Sequence, residues 1–385
     1  MKEHLYRNKL FLLLIILIAG CSGEDSNSAI TAATFNLAIS IDGPGSGTVV
    51  SSPAGIACNP DCSERYTENT IVILTATQAT GSTFAGWSGA CNGSDSCSVT
   101  MDAAKTVTAT FVEYSVDCSS FSTYAPTSIS VITLSTGAAA TTTVIVMHGK
   151  AVSPLYLLSL YTELSNADYD VVAPYMPWSD TTWDGSMCEA MNYIDSLVAK
   201  EAAKGNNVII AGHSMGGAHS LIYAATAPAA EVKGIIALAP GHFPHLELPL
   251  LAVLDPGTAA MITSSITKAE DMVTNGNGDV LDTFDTLIPD LNNPILQISA
   301  TANDYLSYHA LYQYPDINDV LPVIKLPVLW LAGADDPLTT FYAMAALSSQ
   351  ITNQKSSYEV VNGDHLIMVS SSGAPIIAWL PLLGL

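Results

Sequence analysis

Asn207-Val208-Ile209-Ile210-Ala211-Gly212-His213-Ser214-Met215-Gly216 is the stretch on which the fold turns. Its first five residues read as a strand, apolar from Val208 to Ala211, and an Ala-rich helical stretch leaves it from Met215 to about Ala227. Between strand and helix a serine stands two residues from a glycine on each side. A tight strand-to-helix turn requires this, because side chains at 212 and 216 would collide with the backbone. The turn presents Ser214 at the end of a strand and marks it as a candidate nucleophile. The plainer alternative is a glycine-rich turn with no chemistry, and the surrounding chain has to separate the two.

Outward from this turn, strands and helices alternate to the C-terminus. Apolar runs at 143–147, 170–173, 207–211, 232–238 and 327–332 read as strands, with helices expected at 153–166, 187–203, 215–227, 339–350 and 374–383. Continuously apolar strands, each followed by a helix, indicate a parallel sheet covered on both faces. In such a sheet a ligand sits outside the carboxyl ends of the strands, so every candidate site residue should follow a strand.

A serine hydroxyl needs a base to take its proton, and the base needs an acid to fix its tautomer. After Ser214, the strand Val328-Leu329-Trp330-Leu331-Ala332 ends in Gly333-Ala334-Asp335-Asp336-Pro337, and Ser357-Tyr358-Glu359-Val360-Val361 leads into Asn362-Gly363-Asp364-His365. The order Ser, Asp, His on strand ends resembles the α/β-hydrolase superfamily over about residues 140–385. The resemblance implies an α/β-hydrolase fold, a mostly parallel sheet covered by helices, and a triad of Ser214, Asp336 and His365, with Asp335 as the neighbour that a one-residue slip would substitute. It also implies an oxyanion hole made by the backbone amides of Met215 and of Lys150, the latter from the His-Gly loop Val146-Met147-His148-Gly149-Lys150. Each such donor contributes about 3 to 4 kcal/mol to an oxyanion transition state.

His148, His213, Trp178 and His242 are candidate pocket residues, since they flank these loops. Some 80 residues, about 243–322, interrupt the alternation and resemble the cap of many members. The implied activity is hydrolysis of a small-molecule or lipid carboxylic ester through an acyl-enzyme. Acyl transfer to another acceptor, amide cleavage, and a surface-binding protein on a vestigial scaffold are the alternatives. No cofactor is expected and no metal site is assigned: His242 and His245 are three apart, but Pro244 argues against a helix presenting both on one face.

The remainder of the chain concerns location. Only 12 Lys and Arg stand against 35 Asp and Glu, a net charge of −23 that repels nucleic acid. Residues 1–20 combine Lys2, Arg7 and Lys9 with an apolar run and read as a secretory signal. Leu17-Ile18-Ala19-Gly20-Cys21 resembles a bacterial lipobox, which implies a lipid on Cys21 and a membrane anchor in the cell envelope. Ser22 after it resembles the outer-membrane sorting pattern, and 21–34 reads as a flexible tether.

With Cys21 lipidated, six cysteines remain, and the most local pairing joins Cys58 to Cys62, Cys91 to Cys97 and Cys118 to Cys188. Residues 35–112 alternate in short strands with turn residues between them, a small all-β domain ahead of a hydrolase domain at 113–385. Gly45-Ser46-Gly47-Thr48-Val49 and Phe84-Ala85-Gly86-Trp87-Ser88-Gly89 resemble β-repeat modules of bacterial surface proteins, loosely of the internalin B-repeat type. This implies a spacer or a contact with a cell-surface component. Trp87 is expected in the module's core; an exposed platform that stacks on sugars is the alternative.

Overall fold

The computed structural model describes residues 33–79, 82–93, 97–113, 130–135, 140–226, 228–288, 294–311 and 313–385; the expected signal segment, Cys21, most of the tether and Cys118 lie outside them. The N-terminal part holds eight strands: β1 (Thr34–Asp42), β2 (Gly47–Ser52), β3 (Ala57–Cys58), β4 (Ser63–Thr67), β5 (Ile71–Gln78), β6 (Ser82–Gly89), β7 (Cys97–Thr100) and β8 (Lys105–Glu113). They form two four-stranded sheets, ordered β4-β1-β8-β6 and β3-β2-β5-β7. The period-2 pattern is visible in β5, where Val72 and Leu74 point inward while Ile71 and Ile73 are exposed. Leu37, Trp87 and Phe111 from one sheet and Val49, Val72 and Leu74 from the other share one core. Trp87, 5 % exposed, belongs to that core and offers no platform. Disulfides join Cys58 to Cys62 and Cys91 to Cys97, and Cys188, buried, is also disulfide-bonded.

The larger part is built on β9 (Val131–Leu134), β10 (Thr142–Met147), α1 (Leu158–Asn166), β11 (Asp170–Pro174), α2 (Met187–Ala202), β12 (Asn207–His213), α3 (Met215–Ala225) and β13 (Val232–Leu238). There follow α4 (Pro244–Leu254), α5 (Pro256–Thr274), the hairpin β14 (Leu281–Leu287) and β15 (Ile295–Thr301), α6 (Ala302–His309) and α7 (Ile317–Val320). The chain then returns through β16 (Val328–Gly333), α8 (Pro337–Phe341), α9 (Met344–Ser348), β17 (Ser357–Val361) and α10 (Gly373–Trp379). The seven-stranded sheet runs β17-β16-β13-β12-β10-β11-β9, parallel except for the antiparallel edge pair β11 and β9. Successive residues of its central strands feed opposite cores. Ile210, Ile235 and Trp330 pack on one face with α2 and α3, while Ile209, Ile236 and Leu329 pack on the other with α1 and α10. Burial on both faces is why these strands read as unbroken apolar runs.

The structure departs from the sequence reading in several elements. The helix expected at 339–350 divides into α8 and α9, because Ala343 takes a left-handed conformation (φ 49°) between them. The helix expected at 374–383 ends at Trp379 and tightens into a 3-10 turn over Leu380–Leu383, where Pro381 has no N–H to continue it. The edge strand β9 and the hairpin β14–β15 were not anticipated. Residues 243–322 hold α4, α5, the hairpin, α6 and α7, inserted between β13 and β16.

Candidate active site

The loops that leave β10, β12, β13, β16 and β17 at their carboxyl ends carry Lys150, Ser214, His242, Asp336 and His365. Ser214 stands at φ 55°, ψ −120°, a left-handed conformation that costs about 1 to 3 kcal/mol for a residue with a side chain. Its neighbours allow no alternative. A Cβ on Gly212 would lie 2.0 Å from the Gly216 carbonyl oxygen, and one on Gly216 would lie 2.6 Å from the carbonyl oxygens of Met147 and His148. The Ser214 amide donates to the Leu238 carbonyl at 2.9 Å and its carbonyl accepts from the Gly241 amide at 3.1 Å, so the turn is fastened to the end of β13. Helix α3 begins at Met215, which places the positive end of its dipole at the serine.

Asp336 and His365 are brought together from β16 and β17. His365 Nδ1 donates to Asp336 Oδ2 at 2.8 Å, and both residues are buried. The other carboxylate oxygen, Oδ1, accepts from the Leu338 amide at 2.9 Å at the start of α8. Asp335 is exposed to solvent, which separates the two adjacent aspartates. His365 Nε2 is buried and has no hydrogen-bond partner among the described residues. The His365 ring packs against His213, centroid to centroid 4.9 Å, and so lies beside the residue that precedes Ser214.

Ser214 opens onto a cavity of about 330 Å³. Leu251, Leu287, Leu338 and Phe341 supply apolar walls, while Lys150, His242, Glu247 and Tyr342 supply polar atoms at one side. Glu247 Oε1 accepts from the Phe243 amide at 2.9 Å and from the Tyr342 hydroxyl, so this buried side chain is fixed in orientation. The loop after β10 lies against the nucleophile: a Cβ on Gly149 would come 3.2 Å from Ser214 Cβ.

Residues 144–379 match the family described as Alpha/beta hydrolase family. The chain belongs to that family. Residues 44–115 of this hydrolase match a second family, the Divergent InlB B-repeat domain. No curated protein matches the chain. Similar solved structures include a monoacylglycerol lipase of Paleococcus ferrophilus, at 18 % identity over 66 % of this chain and 99 % of the other, TM-score 0.46. A soluble variant of monoglyceride lipase from Saccharomyces cerevisiae is 16 % identical over 70 % and 98 %, TM-score 0.48. Est1E from Butyrivibrio proteoclasticus is 16 % identical over 70 % and 98 %, TM-score 0.46.

Of the four expected pocket residues, the hydrolase brings only His242 to the cavity wall. His148 is fully buried behind the loop: its Nδ1 donates to the Gly149 carbonyl at 2.7 Å and its Nε2 accepts from the Met176 amide at 3.0 Å. Trp178, also fully buried, donates from Nε1 to the His148 carbonyl at 3.0 Å. His213 donates from Nε2 to the His365 carbonyl at 2.8 Å and holds that residue's backbone from behind. Burial keeps these imidazoles neutral, pushing His148 down to about 4 and His213 down to about 3. They brace the site without facing it. The polar wall residues Glu247 and Tyr342 went unnoticed in the sequence, because a lone acid in a helix and a tyrosine in a loop carry no local signal.

Proposed function

We propose that this hydrolase cleaves carboxylic esters with Ser214 as nucleophile, His365 as general base and Asp336 as the acid that orients it. The observation that carries the reading is a serine in a strained left-handed turn at the mouth of a mostly apolar cavity, beside a buried Asp–His pair whose Nε2 has no partner among the described residues. His365 Nε2 takes the Oγ proton as Oγ attacks the ester carbonyl. The tetrahedral oxyanion receives the Met215 and Lys150 amides, and the alkoxide leaves with the proton from His365. Water then attacks the acyl-enzyme, giving its proton to His365, and the acid product departs as Ser214 is restored.

A cavity at the small end of the range for ligand sites suits a compact, largely apolar ester. Cys21 is the lipid attachment point that would hold the enzyme at the cell envelope, supported by the lipobox-like sequence, with the β-domain as a spacer or surface contact. Ser214→Ala should abolish turnover of a short nitrophenyl ester and labelling by a fluorophosphonate, with the circular dichroism spectrum unchanged. Turnover at the parent rate would refute the assignment.

A further inference from the structure

The side chain of Lys150 is half-buried and crosses from the loop after β10 into the inserted region. Its Nζ lies 3.0 Å from His242 Nδ1, 3.0 Å from Thr286 Oγ1 and 2.8 Å from the Leu287 carbonyl oxygen. The partners of those atoms settle which way each bond runs. His242 Nε2 faces the Tyr308 carbonyl at 2.7 Å and must donate to it, so Nδ1 is the acceptor. His309 Nδ1 likewise donates to the Tyr305 carbonyl at 2.9 Å, so its Nε2 accepts, and it accepts from Thr286 Oγ1 at 2.8 Å. That bond spends the only hydroxyl proton of Thr286, so toward Lys150 its oxygen can only accept, as can the Leu287 carbonyl. Three acceptors converge on one nitrogen, and an ammonium has three donors where an amine has two.

We propose that Lys150 is a positioning residue, its protonated side chain tying the loop whose amide meets the oxyanion to the hairpin β14–β15 of the inserted region. This rests on the hydrolase reading given above. From the β11 side the same loop is already held by His148 and Trp178, so the ammonium supplies the opposing support. The groups around it are His242, Glu247 of α4, His219 of α3 and His309 of α6. Burial pushes Lys150 down to about 8, and the Glu247 carboxylate opposes that shift. Loss of the proton therefore falls within a testable range and leaves one acceptor bare.

The test compares the full chain with Lys150→Met, Thr286→Val and Thr286→Ser. In Lys150→Met, kcat should fall about 100-fold with KM little changed, the size expected for a misplaced catalytic group. The parent's loss of kcat above about pH 8 should vanish in this variant. Thr286→Val, the milder lesion, should move kcat in the same direction, and Thr286→Ser should restore it. A Lys150→Met enzyme with parental kcat, or one that keeps the alkaline loss, overturns the proposal. If the parent neither hydrolyses esters nor reacts with a fluorophosphonate, the hydrolase reading fails instead. The tie is then judged by amide hydrogen exchange over 281–287, which should be roughly tenfold faster in Lys150→Met. Unchanged exchange there also overturns the proposal.

Discussion

Asp336→Asn is the sharpest test of the site, because the backbone around Asp336 dictates how an amide would sit. Oδ1 accepts from the Leu338 amide at 2.9 Å, and Oδ2 accepts from His365 Nδ1 at 2.8 Å. In the variant the carboxamide oxygen must stay on the Leu338 amide, since the opposite orientation would set an NH₂ against that N–H. The NH₂ then faces His365 Nδ1 and donates to it, which moves the ring proton to Nε2, where the base must be free to accept. A correctly folded enzyme is left holding the wrong tautomer. The cost expected for that change in a Ser-His-Asp triad is about 10⁴ in kcat, or roughly 5 kcal/mol of transition-state stabilisation. Steady-state hydrolysis of a nitrophenyl ester reads it, with KM largely retained and circular dichroism superimposable on the parent. Asp335→Asn is the paired control; its side chain is exposed, and its kcat should match the parent. Asp336→Asn activity within about tenfold of the parent would refute the tautomer argument and the role of Asp336.

Two further outcomes are expected. Burial holds His148 and His219 at about 4 and His213 and His309 at about 3, against about 6.5 in an unfolded chain. These groups are depressed bases that fold neutral, so below about pH 6.5 only the unfolded state takes up their protons, and stability falls as the pH drops toward 4. Tm measured by calorimetry should decline steadily from pH 7 to pH 5, and a flat profile would contradict the neutral buried histidines. At the other end of the chain, a Cys21→Ser variant expressed in a bacterial host should lose incorporation of labelled palmitate and partition away from membranes. Label retained by that variant would exclude Cys21 as the lipid site.

What the sequence could and could not disclose follows from what each pattern encodes. The sheet strands β10 to β13 and β16 were legible because both of their faces are buried, which makes them predominantly apolar runs. The turn at Ser214 was legible because the backbone itself excludes a Cβ at 212 and 216, a constraint that only glycine meets. Spacing after a strand end pointed to His365 and to Asp336, with Asp335 as the one-residue slip, and it is Asp336 that meets His365 at 2.8 Å while Asp335 is exposed. Spacing says where a residue leaves the sheet, however, and not which way its side chain turns. That is why His148 and Trp178, read as pocket walls, prove to be bolts behind the loop.

Lys150 shows the limit most clearly. Its three acceptors come from residues 242, 286 and 287, and the carbonyls that set their donor and acceptor roles come from 305 and 308. No periodicity links those positions, since a period of 2 or 3.6 reports burial alone. An ammonium drawn away from water is tolerable only where each proton is matched, so the direction of that side chain follows from matching hydrogen-bond donors and acceptors across four segments: the loop after β10, residue 242, the hairpin and α6. A substitution of Lys150, His242 or Thr286 that removes its bond should therefore act on the loop beside Ser214, although residue 286 lies more than 100 residues from residue 150 in the chain.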